Sequence, residues 1–405
     1  MTRTSYAIVG GGIVGASVAY HLSERGADDV TVYERAGLAS ATTAKSTAMI
    51  GVAGPEPVRR LKAYGFRLYN DFFADPAADP SYVHTGRLRV ATTEDSAAAF
   101  ERLVADDPDR DGDGERAGLQ PSRFEHTLRE YVPGESLHDR FLLPPLETAL
   151  VEGALYQPEY GYVTSETSTL GPQALAFEFV ERARDGGVTF RTGTTVTAVR
   201  TEGSRATGIE TAEDGFVAAD EVICAAGPWT EPLLEGAGLE LPVDRVPSPV
   251  FALTLEQPLS YTLPAIKHHE SSVGIHPKRD ETILLTYTPD DAAARDAFER
   301  SDPTPSETHR QRALEAATRL VPILEEATIT DEWLGFGTRT PDGRPLAGWT
   351  SIDGLSLAVT PAGIQLGPAV GSIVARQVLE DDPTRHYDTV SIARFDGYSD
   401  WRRER

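Results

Sequence analysis

The chain has 405 residues, 40% hydrophobic and 25% charged, a length and balance that suit two globular domains and exclude a coiled coil, collagen and wholesale disorder. Asp and Glu number 62 against 38 Lys and Arg, and the resulting formal net charge of −24 repels nucleic acid and anionic membranes. The single cysteine, Cys224, excludes an intramolecular disulfide and every multi-cysteine zinc or iron–sulfur site.

Taken in chain order, Tyr6 to Val9 is a short apolar run ending on glycines, and Ile13 to Leu22 has Val14, Val18 and Leu22 at helical spacing. Asp29 to Tyr33 is a second strand, closed by Glu34, so the chain begins as a βαβ unit. Residues 39–54 are small and hydroxylated and predict a loop with a short helix; Val58 to Phe73 predicts an amphipathic helix. A hairpin around Gly86 is expected over 81–91 and a helix over 96–104. The stretch 105–118 carries Asp107, Asp109, Asp111 and Gly112 at calcium-loop spacing, but Gly118 stands where a bidentate Glu is needed, so it reads as a solvated acidic loop. Gln173 to Asp185 is a helix closed by Gly186 and Gly187, followed by strands at 188–191, 195–202, 205–211, 215–218 and 221–225. Residues 245–290 alternate strand and turn, Arg310 to Val321 is a helix, and strand 355–359 leads through Thr360-Pro361-Ala362-Gly363 to a helix expected from about Pro368 to Leu379. This order suggests a discontinuous nucleotide-binding domain (1–80, 151–235 and 331–396), a sheet-rich inserted domain (81–150 and 236–330) and a tail (397–405).

Gly10-x-Gly12-x-x-Gly15 lies between the first strand and helix, where the mechanism of dinucleotide binding requires it. The first glycine permits the tight turn, the second admits the pyrophosphate and the third lets helix pack on strand. Ile13 and Val14 belong to the same helix start, whose N–H groups and dipole favour phosphate. Glu34 is positioned to accept a ribose hydroxyl; an acid there disfavours NADP and leaves FAD and NAD open.

Four segments together, 7–35, 151–200, 221–230 (EVICAAGPWT) and 338–379, run in the order of one superfamily. The chain resembles the FAD-dependent amine and amino-acid oxidoreductases: D-amino-acid oxidase, glycine oxidase, monomeric sarcosine oxidase and dimethylglycine dehydrogenase. The resemblance implies an α/β fold, an FAD-binding Rossmann-like domain of the GR2 type with an inserted, sheet-rich α+β substrate domain. It implies that Glu34 and Arg35 lie beside the adenosine, and that Thr43, Lys45, Ser46 and Thr47 lie near the pyrophosphate and flavin edge. Val196 would clasp the adenine through its backbone, and Ala226, Gly227 and Trp229 would turn over the pyrophosphate. Arg339, Asp342 and Gly343 would sit by the flavin, and Gly363, Ile364 and Gln365 would offer backbone N–H groups to its N1–C2 carbonyl side, where a helix N-terminus stabilises developing negative charge.

Some members attach FAD covalently through a Cys before the C-terminal loop or a His after the second strand. Cys224 lies in an apolar strand and residues 36–54 contain no His, so FAD is expected to be non-covalent. The implied reaction removes a hydride equivalent from the carbon beside the nitrogen of a small amine or amino acid, and imine hydrolysis follows. A cation is needed for the substrate carboxylate, and Arg59, Arg60, Arg339, Lys267 and His268 are candidates. His268, His269 and His276 cluster without an accompanying acid or Cys set, so no metal site is read there, and one of them is expected to line the substrate pocket. Tyr64 and Tyr261 are possible wall residues; Trp333 and Phe336 read as core at the domain seam.

The strand expected at Glu281 to Tyr287 lacks the Lys that promotes reaction with oxygen in sarcosine oxidases, which favours a dehydrogenase passing electrons to a carrier protein over an oxidase using O2. Two further readings stay open: a 2-hydroxy-acid dehydrogenase with His276 as base, and an FAD-binding electron-transfer or assembly subunit with no substrate of its own. Only four of the 38 basic residues are lysine (Lys45, Lys62, Lys267 and Lys278), and lysine scarcity with excess acid predicts a protein suited to concentrated salt. The start, MTRTSYAIVGGG, has no signal core and no apolar run of about 18 residues occurs, so a cytoplasmic protein without membrane insertion is expected. The sequence leaves oligomeric state open.

Overall fold

The opening βαβ unit forms as read: Ser5–Val9 and Asp29–Glu34 pair in parallel, with helix Ile13–Glu24 between them. The computed structural model describes residues 4–106, 129–141, 146–166, 171–257, 263–278, 282–288, 298, 303–380 and 387–395. A six-stranded sheet holds, in order, Leu346–Trp349, Leu355–Val359, Glu221–Cys224, Ser5–Val9, Asp29–Glu34 and Thr189–Thr192. Every pairing in it is parallel except that of the edge strand Leu346–Trp349. Parallel strands are covered on both faces, and Ile8, Val32, Ile223 and Leu357 are accordingly fully buried. The order in which strands are added reverses beside Ser5–Val9, whose neighbours are residues 29–34 on one side and 221–224 on the other. Such a switch point opens a crevice at the carboxyl ends of the strands.

The second large sheet has eight strands: Thr328–Arg339, Asp244–Thr254, Thr282–Thr286, Gly274–Pro277, Ala265–His268, Arg87–Ala91, Gly153–Gln157 and Glu130–Pro133. Helix Glu307–Leu320 contributes Ala313, Ala317 and Leu320 to its core. An α/β Rossmann-like core thus carries an inserted sheet-rich domain. Gly153–Gln157 and Thr328–Arg339 both pair within this sheet.

Several local expectations are corrected. Residues 81–91 form no hairpin: Ser81–His84 pairs with Tyr160–Thr164, whereas Arg87–Ala91 joins the eight-stranded sheet, so the chain changes sheet at Gly86. Gly86 has φ 70°, a left-handed geometry that glycine adopts without strain. Residues 38–45 form successive turns rather than a short helix, and Met49–Gly51 is a strand. The acidic stretch read as a loop falls mostly at 107–128, outside the described residues, as do Tyr261 and the 397–405 tail. Among the described residues no helix is long and apolar enough to cross a membrane.

The last long helix runs Gly363–Glu380 and starts five residues earlier than predicted, with Pro368 inside it. Proline has no N–H for the carbonyl of Ile364, four residues back. The fully buried Tyr69 supplies the missing donor: its hydroxyl donates to the Ile364 oxygen at 2.7 Å. The helix also crosses its neighbours closely. A Cβ on Gly371 would lie 2.2 Å from Ser17 Oγ, and one on Gly65 would lie 2.6 Å from the Gln365 carbonyl oxygen.

Tyr69→Phe leaves that buried carbonyl without a donor and is expected to cost about 1–3 kcal/mol of unfolding free energy in urea titration. Adding Pro368→Ala restores an N–H and should recover most of the loss. No recovery in the double variant would show that the hydroxyl acts elsewhere.

Candidate active site

The crevice is one cavity of about 600 Å³. Its floor is the turn after the first strand. Gly10 has φ 107°, and a Cβ there would lie 2.7 Å from the Ala225 carbonyl oxygen; one on Gly15 would lie 1.9 Å from the Gly10 oxygen. Gly10 therefore makes the turn and Gly15 brings the helix onto the strand, and Gly15 does not line the cavity. At Gly12 an added Cβ meets only Thr43 Oγ1 at 3.3 Å, so the absent side chain leaves a cradle in the cavity. Thr43 Oγ1 also accepts from the Ile13 N–H at 3.1 Å.

Beyond one end of the helix start, Glu34 accepts from Gly11 N–H at 2.8 Å and Ala36 N–H at 2.9 Å. Its carboxylate is thereby oriented at the rim, beside Arg35 and Val196. The Arg35 guanidinium lies 4.4 Å from the centre of the Trp229 ring, and Ala226 and Gly227 complete that wall. Gly227 has φ 54° and open space at its Cβ position.

Toward the other end lie Lys45, Ser46 and Thr47, and the start of the last long helix at Gly363, Ile364 and Gln365. Loop 38–48 is stitched to strand Thr328–Arg339: Thr42 Oγ1 donates to Phe336 O at 2.9 Å, Lys45 Nζ to Leu334 O at 2.9 Å, and Trp333 Nε1 to Lys45 O at 2.9 Å. Trp333 and Phe336 do sit at the seam as read, and Phe336 also lines the cavity. The carbonyl of Ala362 accepts from Gln365 and Leu366, and Ala362 itself has φ 50°, a strained value for alanine. Gln365 Nε2 donates to Met49 O at 3.2 Å.

The cavity then continues onto the eight-stranded sheet. Lys267 and His276 line it as expected, and so do Arg87, Tyr160, Met49 and Thr286, which sequence reading missed. Arg87 Nε donates to Gln157 Oε1 at 2.6 Å and its guanidinium lies 4.1 Å from the Tyr160 ring centre. Nothing local sets Arg87 apart from other arginines; its strand's parallel pairing with Ala265–His268 brings it to the site. His276 Nε2 is 3.1 Å from Thr286 Oγ1, and burial, followed by Lys278, Lys267 and Arg87, holds its pKa well below the usual imidazole value. Lys267 donates to the Ser272 carbonyl, and burial, then Arg87 and Arg89, lower its pKa to about 8.

Four predicted site residues lie elsewhere. Arg59 is buried on helix Val58–Ala74 and pairs with Glu56 at 2.9 Å, because its helical face turns away from the crevice. His268 is tied to Glu270 at 3.0 Å and Ser271 at 2.6 Å on the sheet's outer turn. Arg339 pairs with Asp244 at 3.0 Å across the strand register, and Asp342 receives Arg394 Nε at 2.8 Å, which anchors the turn Ile392–Phe395. Tyr64 is also out of the site, its hydroxyl 2.7 Å from Ser372 Oγ between two helices. Cys224 is fully buried in its strand, and burial raises its thiol pKa to about 12.

This arrangement agrees with a sequence comparison: the family model described as FAD dependent oxidoreductase matches residues 5–377. The chain belongs to the FAD dependent oxidoreductase family. Among relatives, 4-methylaminobutanoate oxidase (formaldehyde-forming) of Paenarthrobacter nicotinovorans is 27% identical over 98% of this chain and 46% of its own length. Human mitochondrial dimethylglycine dehydrogenase is 24% identical over 94% of this chain and 43% of its own. The chain thus spans less than half the length of these relatives. Among solved structures, L-proline dehydrogenase from P. horikoshii superposes with a TM-score of 0.78 at 19% identity, covering 98% of both chains. Glycine oxidase from Geobacillus kaustophilus gives 0.77 at 24%, covering 97% of this chain and 99% of its own. At these identities the structural likeness shows the shared fold.

The family's cofactor is FAD, and the cavity fits it without a covalent bond. Glu34, Arg35 and Val196 would hold the adenosine, Gly10, Gly12 and the Ile13–Val14 helix start the pyrophosphate, and Gly363–Gln365 the flavin end. Gly12→Ala meets only a movable Thr43 hydroxyl, so the apoprotein should keep its thermal stability while FAD affinity falls about tenfold or more. Titration of apoprotein by FAD fluorescence quenching checks this, and unchanged affinity would remove the cradle from the site.

Proposed function

We propose that this chain oxidises the C–N bond of a small amine or amino acid, N-methylated or primary, of the sarcosine, glycine, dimethylglycine or D-amino-acid kind. The observation that carries the reading is the continuity of one cavity from the helix start at Gly363 to Arg87, Lys267 and His276 on the inserted sheet. Bound FAD would supply the acceptor for a hydride equivalent at its N5, leaving an imine that water hydrolyses. The chain's own residues bind and orient. Arg87, with Nε held by Gln157, and Lys267 offer a cationic anchor for the substrate carboxylate in place of Arg59 or Arg339. Met49 and Tyr160 give the same region apolar and aromatic wall.

His276 argues for an amine over a 2-hydroxy acid. An alcohol needs a base with a pKa near the working pH, and burial with Lys278, Lys267 and Arg87 nearby lowers the His276 pKa, which weakens it as that base. A subunit without a substrate would have no use for a cavity extended onto the second sheet. The acceptor is O2 or a carrier protein. Lys267 brings to the cavity a positive charge that residues 281–287 lack, so a carrier-linked dehydrogenase is only slightly favoured over an oxidase.

Anaerobic addition of N-methylated amino acids, D- and L-amino acids and 2-hydroxy acids, followed near 450 nm, tests the reading. Bleaching by an amine or amino acid supports it, and bleaching by hydroxy acids alone would overturn it. Admission of air then separates rapid reoxidation by O2 from the slow reoxidation of a carrier-linked enzyme.

Lys267 also predicts a pH dependence. A carboxylate analogue binds its protonated form, so affinity holds below about pH 8 and falls by up to about tenfold per unit above it. Burial holds the His276 pKa well below its usual value, and Lys278, lowered by burial to about 7, and Lys62, to about 8, titrate in the same range without lining the cavity. Lys267→Arg should make the profile of the dissociation constant shallower. A wild-type constant that does not change between about pH 7 and about pH 9 would dismiss Lys267 as an anchor.

We also read the charge of −24 as a fit to concentrated salt, since the described surface ion pairs are each weak while self-repulsion acts over the whole molecule. The expected result is a melting temperature that rises steadily with added KCl.

A further inference from the structure

Two of the four lysines of this lysine-poor chain line the cavity and a third touches one of its lining residues. Lys45 and Lys267 line it. Lys278 donates to the carbonyl of Thr47, a lining residue, at 2.5 Å and lies 4.2 Å from the Tyr162 ring centre. Lys62, on helix Val58–Ala74, is close enough to Arg87 to be lowered by it. Everywhere else the basic residue is arginine.

The substrate end of the cavity is therefore lined by Arg87 and Lys267 beside His276, with Lys278 just behind it on the Thr47 carbonyl, inside a molecule whose net charge is −24. Among the described residues no carboxylate offsets this charge. Lys267 is lowered to about 8 by burial and then by Arg87 and Arg89, Lys62 to about 8 by burial and then by Arg87, and Lys278 to about 7 by burial. None of the three is raised by a carboxylate. Among the described lining residues the acid is Glu34, at the far end and bonded to Gly11 and Ala36. Glu270, the acid nearest Arg89, is engaged with His268 and the Thr92 N–H on the outer turn. With its Nε on Gln157, Arg87 has its two terminal nitrogens left for a ligand among the described residues.

A single carboxylate would leave one of the two lining cations, Arg87 or Lys267, unpaired, and unpaired buried charge is costly. We propose that the substrate is an amine bearing two carboxylates, one taken by Arg87 and the other by the Lys267 side of the pocket. This deepens the amine reading and rests on it. The lysines, rather than arginines, are explained by the same demand: a buried ammonium can shed its proton while the pocket is empty and regain it with the anion, which a guanidinium cannot do.

The test compares N-methylaspartate with N-methylalanine as anaerobic reductants of the flavin in the holoenzyme. The expected kcat/KM is more than about tenfold higher for N-methylaspartate, and Lys267→Met should shrink that ratio to below about threefold. Equal or better reduction by N-methylalanine would overturn the proposal. Reduction by no amine at all would be a failure of the amine reading, and the charge question is then decided by binding. Succinate and butyrate are titrated against the flavin absorbance band of the holoenzyme. Succinate bound at least about tenfold more tightly upholds a two-carboxylate pocket, and equal affinity overturns it.

Discussion

The close crossing of the first and last long helices is the contact on which the site depends. Gly363, Gly367 and Gly371 present no side chain to Ile13, Val14 and Ser17, so the two helices approach until a Cβ on Gly371 would sit 2.2 Å from Ser17 Oγ. Both helices begin at the same crevice as a result. One start, at Ile13, lies over the turn that would receive the pyrophosphate; the other, at Gly363, lies where the flavin would end. Two positive dipole ends in one cavity suit an anionic cofactor at two points. The cost is a proline in the second helix, and Tyr69 on a third helix offsets it by donating to the carbonyl that Pro368 leaves open.

The second constraint is the stitching of loop 38–48 to the inserted sheet. Lys45 takes part through both its ammonium and its carbonyl, with Leu334 and Trp333 as partners, and Thr42 binds Phe336. Cofactor loop and substrate sheet therefore share a frame, and residues such as Thr47 and Lys278 meet across it. A ligand on the sheet is held at a set position relative to the cofactor cradle, which is the positional requirement of a hydride transfer.

Charge is partitioned in the opposite sense from the bulk of the molecule. The exterior carries the acid excess and its arginine partners, as in the pairs Arg191–Asp214 and Arg200–Glu210. The cavity gathers lysine. An anion approaching the protein is repelled by the whole and attracted by the site, so the pocket's own geometry, not the long-range field, must select it.

The cofactor half of the site was legible in the sequence because its chemistry is local. Gly10, Gly12, Gly15 and Glu34 act through backbone turns and spacing within one βαβ unit, and the apolar strands that carry them are continuous in the chain. The lysine scarcity, too, was visible, and it pointed to concentrated salt rather than to a site. The substrate half was decided by tertiary structure alone. Arg87 reaches the cavity because its strand pairs with Ala265–His268, and the chain leaves one sheet for the other at Gly86, where the sequence resembled a hairpin turn. Arg59, His268, Arg339 and Asp342 had suitable chemistry, but their partners Glu56, Glu270, Asp244 and Arg394 hold them elsewhere. Side-chain type and spacing specify what a residue can do; strand pairing and packing between distant segments determine where it does so.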